Sequence, residues 1–270
     1  MARGDGPSSR PAGRSAGGVL IAAYGVAAYL MFLVVLLYLI GFLADADFWV
    51  GGVHIVGKSV DRGGIGDGSL TVAAVAIDAA LLALFAVQHS VMARAAFKDW
   101  WTRIVPPSAE RSTYVLASNI CLVVLVAAWH PITDDIWRVT AQPWRTLLTA
   151  LALAGWAISL LSTFLIDHFD LFGVRQVFAR LQGRQLTEHE FTTPLFYRVV
   201  RHPLYLGFLI AFWSTPRMTV GHLLFAVATT GYILLAVRLE ERDLIRAFGQ
   251  QYQDYRHRVP LLIPGLGGRP

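Results

Sequence analysis

The sequence predicts an all-α integral membrane protein, a helical bundle with five to six transmembrane helices. Three observations carry that reading. Hydrophobic residues fill 55% of 270 positions and charged residues only 15%, a balance too apolar for an ordinary soluble domain. The apolar residues are blocked into long runs. The basic residues collect in alternate loops, as bilayer topology requires.

Taken in order, residues 1–18 form a polar Gly/Ser/Arg arm whose composition predicts disorder. Residues 19–43 carry no charge, enough for a helix to cross a hydrocarbon core of ~30 Å and longer than the ~7–15 apolar residues of a cleaved signal peptide. Residues 70–92 are interrupted only by Asp78, Gln88 and His89, and residues 114–129 and 147–166 supply two more spans. A hairpin follows: residues 204–214, short enough to tilt or lie partly in the interface, then the Thr215-Pro216-Arg217 turn and residues 220–237. The resulting organisation is an arm over 1–18, a four-helix membrane scaffold over 19–166, and a chemistry-bearing region over 167–270 comprising loop, hairpin and tail.

The net charge of +5 does not point to nucleic acid, because the bases are segregated by loop. Arg94, Lys98, Arg103 and Arg111 lie between the second and third spans, and Arg175, Arg180, Arg184, Arg198 and Arg201 between the fourth and fifth. The alternate loops hold only Lys58, Arg62, Arg138, Arg145 and Arg217. This asymmetry places both termini and the His202 segment in the cytoplasm, with the basic surplus facing lipid headgroups. Cys121, the single cysteine, lies mid-span, which excludes disulfide frameworks and thiolate zinc sites within one chain. Gly64-Ile65-Gly66-Asp67-Gly68 lacks the strand a dinucleotide loop requires and reads as a turn.

Polar chemistry concentrates at the ends of the hairpin. Arg201-His202-Pro203-Leu204-Tyr205-Leu206-Gly207 opens a helix at the membrane surface. Pro203 suits the first helical position, and the free N–H groups beyond it suit a carboxylate or similar anion. Gly207 allows a ligand or another helix to approach the backbone, and Tyr205 offers a ring with a hydroxyl tip. At the other end, Glu240-Glu241 leave the last apolar run, Glu241, Ile245 and Phe248 share a helix face, and Gly249 is placed to end the helix. Tyr252, Tyr255 and Arg258-Val259-Pro260 follow. A helix start facing a carboxylate pair makes a two-signed pocket, one end for an anion and the other for an ammonium group or ribose hydroxyls.

These two halves, in this order and separated by one apolar hairpin, resemble the C-terminal signature of the isoprenylcysteine carboxyl methyltransferase and phospholipid methyltransferase superfamily. The resemblance covers about the last quarter of the chain. It implies S-adenosylmethionine bound in a cytoplasmic pocket at the C-terminal end of the bundle, contacted by Arg201, His202, Pro203, Tyr205, Leu206, Gly207, Glu240 and Glu241. It also gives Arg258 a role in catalysis or substrate binding. The run Ile166-Asp167-His168-Phe169-Asp170-Leu171-Phe172-Gly173-Val174-Arg175-Gln176 is similar to the bacterial methanethiol S-methyltransferase and NnrU-like branch. That branch implies a small thiol acceptor, dimethyl sulfide as product, and a bacterial inner-membrane location. Candidate bases are His168, Asp170 and His202, and Gln176, Tyr252 and Tyr255 are candidate substrate contacts. His168 and Asp170 equally suit an interfacial helix end. Asp78 with Gln88-His89 could line the roof of the active site, and an interhelical hydrogen-bond pair is the favoured reading. Competing functions are methylation of a prenylcysteine carboxylate or lipid amine, transport, and a non-catalytic scaffold. The sequence shows no inverted repeat, which many transporters carry. Oligomeric state is not written in it.

Overall fold

The computed structural model describes residues 16–50, 53–184 and 191–266. In chain order they form α1 (Ala16–Leu43), a hairpin of β1 (Phe48–Val50) and β2 (Val53–Val56), α2 (Val72–Ala93), the short α3 (Ala95–Trp101) and α4 (Pro107–Ala128). Then come β3 (Asp135–Arg138), α5 (Trp144–Ile166), α6 (His168–Leu171), α7 (Val174–Gln182), a 3-10 turn at Leu195–Arg198, α8 (Pro203–Trp213), β4 (Arg217–Thr219), α9 (Val220–Phe248) and α10 (Gln250–Arg258). Five of these, α1, α2, α4, α5 and α9, are long and apolar enough to cross a membrane. Helix α8 has 11 residues, ~16 Å of rise, about half a hydrocarbon core. The all-α membrane bundle is therefore the observed fold, with five spans and one half-length helix. The 1–15 stretch of the expected arm lies outside the described residues, and α1 takes in residues 16–18.

Local chemistry sets the boundaries. Thr71 and Thr219 accept hydrogen bonds from the N–H groups of Ala74 (3.0 Å) and His222 (3.1 Å), capping α2 and α9. Pro107 and Pro203 start α4 and α8, where a missing N–H costs nothing. Gly249 stops α9 at φ +55°, a backbone region that side chains disfavour.

The apolar faces are arranged for a bilayer. Leu20, Val34 and Leu37 of α1, Val72 and Val87 of α2, Leu153 of α5 and Leu235 of α9 are all exposed, whereas aromatic rings fill the centre. Phe42, Trp129, Trp156, Phe212 and Phe225 make a chain of edge-to-face contacts there. The tightest seam joins α5 to α8. A Cβ on Gly207 would meet Ser159 and come within 2.5 Å of the Gly155 carbonyl oxygen, and a Cβ on Gly155 would lie 2.5 Å from the Ala211 nitrogen. Small residues thus let the two backbones touch, and Ser159 Oγ donates to the Leu204 carbonyl (2.9 Å). Of the two partners that Gly207 was expected to admit, a helix occupies its face.

At the end remote from His202, β3 pairs antiparallel with β4, so the loop after α4 is stitched to the turn between α8 and α9. Arg217 binds Asp135 (2.7 Å) and Asp61 (3.4 Å), and Asp61 also accepts from Thr219 (2.6 Å). Burial pushes the Asp61 carboxyl upward, opposed by the Thr219 bond and the Arg217 charge. Arg217, the last residue of the turn expected at 215–217, already begins β4, a strand that three residues are too few to announce.

Candidate active site

Helix α8 begins at Pro203, and its first intrahelical bond runs from Leu206 N to His202 O (3.0 Å). The segment before it is held by the tail: Arg201 N donates to Pro260 O (2.9 Å) and His202 N to Leu261 O (3.2 Å). Two residues after α10, the chain therefore lies alongside the start of α8 and fixes the direction of both side chains.

Those side chains meet the acidic exit of α9. Arg201 Nε donates to Glu241 Oε1 (2.7 Å), and its Nη1 donates to the carbonyls of Arg256 (2.9 Å) and Val259 (2.6 Å). Tyr252 donates to Glu241 (3.3 Å), and Arg256 Nε lies 3.4 Å from the second Glu241 oxygen. His202 Nε2 is 3.5 Å from Glu241, close enough for electrostatic attraction, but it makes no hydrogen bond and is buried without a partner. The neighbouring carboxylate is different: Glu240 accepts from Tyr205 (3.0 Å), lies 3.9 Å from His202 Nδ1, and its side chain is 45% exposed against 10% for Glu241. Adjacent acids thus occupy opposite situations, Glu241 enclosed by cations and Glu240 open.

Helix α10 closes the site from the side. Tyr252 and Tyr255 are buried, and the Tyr255 hydroxyl donates to Tyr197 O (2.6 Å). Phe191 packs against Phe248, Tyr252 and Tyr255. Burial raises the phenol of Tyr255 to about 12 and those of Tyr197 and Tyr252 further, helped in the last two by nearby glutamate charge. All three act as neutral hydrogen-bond donors.

Arg258 points elsewhere. It is exposed, donating from Nε to Asp254 O (3.2 Å), while Arg256 reaches the carboxylate. Arg256 is not among the residues the sequence singles out, because Gly249 marks a helix end and hides the helix that follows. Continuing a helical period beyond Gly249 puts Tyr252, Tyr255 and Arg256 on one face, at three- and four-residue spacing.

His168, Asp170 and Gln176 form a second corner, whose side-chain bonds run to α1, α5 and α7. Thr163 Oγ1 spends its proton on Leu160 O (2.7 Å), so it accepts from His168 Nδ1 (2.7 Å), which leaves Nε2 to accept from Tyr29 (2.8 Å). The ring also stacks on Phe164 at 3.9 Å. Both nitrogens are committed, and burial lowers the ring's pKa, opposed by the Asp167 charge. Asp170 accepts from Gln176 Nε2 (3.1 Å) and lies 3.8 Å from Arg175. This corner ties α1 to the exit of α5. It is not gathered with His202 and Glu241.

Of the intramembrane polar residues, Asp78 accepts from His130 N (2.8 Å), and His89 bonds across to α4. A cavity of ≈ 470 Å³ opens at the remote end, between α1, α5 and the turn before β4, lined in part by Leu43, Asp61, Arg145, Trp156 and Arg217. It stands apart from the His202–Glu241 cluster.

No protein-family model matches the chain, and no solved structure matches it. Curated proteins do. The chain is 50% identical over 244 residues to methanethiol S-methyltransferase of Mycobacterium tuberculosis, covering 89% of this chain and 94% of that one. It is 48% identical over 250 residues to methanethiol S-methyltransferase 2 of Bradyrhizobium diazoefficiens, covering 92% of each. A more distant relative is nurim of Xenopus laevis, 32% identical over 177 residues, or 63% of this chain and 62% of that one. Identity near one half along nine-tenths of both partners spans the bundle, the hairpin and the tail together, and the chain belongs to the methanethiol S-methyltransferase family.

Proposed function

We propose that this membrane methyltransferase moves the methyl group of S-adenosylmethionine to a small thiol, converting methanethiol to dimethyl sulfide. The observation that carries the reading is the meeting of the α8 start with the Glu240–Glu241 pair, an anion-binding helix end facing an open carboxylate. The residues suit the donor. His202 Nε2 is a buried nitrogen that makes no hydrogen bond, 3.5 Å from Glu241, and the free N–H groups at the α8 start lie beside it, a combination for the methionine carboxylate. Glu240, half-exposed beside Tyr205, would take the ammonium group or the ribose hydroxyls.

Glu241 has another task in this scheme. Held by Arg201, Arg256 and Tyr252, it keeps the tail against α8 and His202 at the rim. Pro203, Leu206 and Gly207 set the course of α8, and Tyr252 and Tyr255 wall the site. When bound, S-adenosylmethionine supplies an electrophilic methyl group on a sulfonium. A thiol reacts best as its thiolate, so charge is annihilated in the transition state and an apolar, water-poor site favours it. Residues 167–270 form the donor-binding region in this scheme. The arginine-rich loops favour the cytoplasmic side of the bacterial inner membrane for it and for both termini, with α8 and the turn to β4 completing the sixth passage.

The test is purified protein incubated with S-adenosylmethionine and methanethiol, with dimethyl sulfide measured in the headspace. His202→Ala combined with Glu240→Gln should weaken donor binding by about 100-fold, roughly the loss of two hydrogen bonds to charged groups. Donor binding unchanged in that double variant would overturn the site, and no product from the parent would overturn the acceptor.

A further inference from the structure

Between α2, α4 and α9 lies a polar cluster that the donor site does not use. His89 Nε2 is 2.7 Å from the Tyr114 hydroxyl and His89 Nδ1 is 3.1 Å from Ser118 Oγ. Phe85 stacks on the imidazole at 5.2 Å, and Tyr232 meets it edge-on at 6.5 Å with its own hydroxyl held by Ser90 (3.3 Å). The cluster adjoins the donor site. Tyr205 of α8 donates to Glu240 (3.0 Å), and Glu240 lies on the same α9 helix that carries Tyr232. Tyr232 precedes Glu240 by eight residues on one helix, ~12 Å toward the membrane interior. Polar groups from four helices thus converge just inside the bilayer from the open carboxylate, where a small apolar thiol arriving through lipid would stop.

We propose that Tyr114 and His89 form the acceptor subsite and proton relay of the reaction, with Tyr232 as its wall. This rests on the methyl-transfer reading above. With the neutral ring carrying its proton on Nδ1 toward Ser118, Nε2 accepts the Tyr114 hydroxyl, and the Tyr114 oxygen keeps lone pairs for a thiol S–H. As the thiol sulfur forms its new bond to the methyl carbon, the old bond from that carbon to the donor sulfur breaks and its electron pair stays on the donor. The S–H proton passes to the Tyr114 oxygen while the Tyr114 proton passes to His89 Nε2. The products are a neutral sulfide, a neutral thioether and an imidazolium that returns its proton to solvent. The transfer runs downhill because the S–H becomes far more acidic as its sulfur acquires a third bond. The charged and titratable groups around the relay are Arg111 and Glu110 on α4, Tyr232 and Glu240 on α9, Tyr205 on α8 and Arg94 on α2.

The test uses the full chain in nanodiscs, with Tyr114→Phe and His89→Gln beside the parent. Calorimetric binding of S-adenosylhomocysteine should match the parent in both variants, which also reports that each is folded. Methanethiol titrated into that complex should bind Tyr114→Phe about fivefold to tenfold more weakly, the loss of one hydrogen bond. Turnover near neutral pH should fall about 100-fold or more in both variants. As pH rises toward the thiol pKa, the deficit should shrink by about tenfold per unit, because thiolate formed in solution bypasses the relay. Variants that keep the parental rate, or lose the same factor at every pH, overturn the relay while leaving the functional reading intact. A parent that binds donor yet methylates no thiol overturns that reading itself.

Discussion

The seam between α5 and α8 makes a sharp prediction at Gly207. Replacing it with alanine puts a methyl group against Ser159, 2.5 Å from the Gly155 carbonyl oxygen and 2.6 Å from the Ser159 nitrogen. Ordinary contact needs roughly 3.5 Å, so the helices must part by about 1 Å locally, and backbone atoms on α5 cannot swing aside as a side chain would. Overpacking of this kind costs about 1–3 kcal/mol, which for a chain of this size lowers the melting temperature by about 2–12 °C. The same displacement moves the start of α8 relative to Glu240, so donor affinity should fall with stability. Gly231→Ala is the control: a methyl group there meets nothing within 4 Å, and alanine favours a helix interior by about 0.5–1 kcal/mol. Thermal unfolding followed by circular dichroism in one detergent, with donor titration on the same samples, reads both. A Gly207→Ala protein that melts with the parent, or Gly231→Ala falling as far as Gly207→Ala, would refute the argument from close approach.

Glu241→Gln should destabilise by about 3 kcal/mol, since it removes the negative charge that balances Arg201, whose side chain is only 9% exposed and whose remaining partners are neutral carbonyls; denaturation of the purified protein checks this. Arg258→Ala should leave both melting temperature and donor affinity unchanged, because the side chain is exposed and bonds only within its own helix turn. For His168 the folded protein disfavours the protonated ring, whereas the unfolded chain accepts a proton near the ordinary value of ~6.5. Stability should therefore hold above that pH and decline as pH drops through it, and His168→Gln should flatten this part of a melting-temperature profile recorded from mildly alkaline to mildly acidic buffer.

The membrane helices were legible because hydropathy is summed over some twenty residues and errors average out. Boundaries shifted by up to seven residues, as at Pro107, where Glu110 and Arg111 made an amphipathic first turn look like loop. The donor-binding halves were legible because proline, glycine and paired acids mark helix ends by local chemistry. What escaped depends on distant partners. Nothing in Glu240-Glu241 tells which acid is enclosed, since that is decided by Arg201 forty residues earlier. For His89 the sequence left two readings, active-site roof or interhelical hydrogen-bond pair, because the helix carrying it meets Tyr232 only after the bundle assembles. His168 drew attention as an ionisable group near lipid, and its role emerged from Tyr29, far back on α1.

The pairing of Arg201 and His202 with the carbonyls of Pro260 and Leu261 bears on biogenesis. Residues 260–261 are made after every apolar helix, and until they reach the start of α8 its first side chains have no clamp. Insertion and competence are thus separate events. A chain cut short within α10 would keep every apolar helix yet lack the clamp that sets its ligand-binding end.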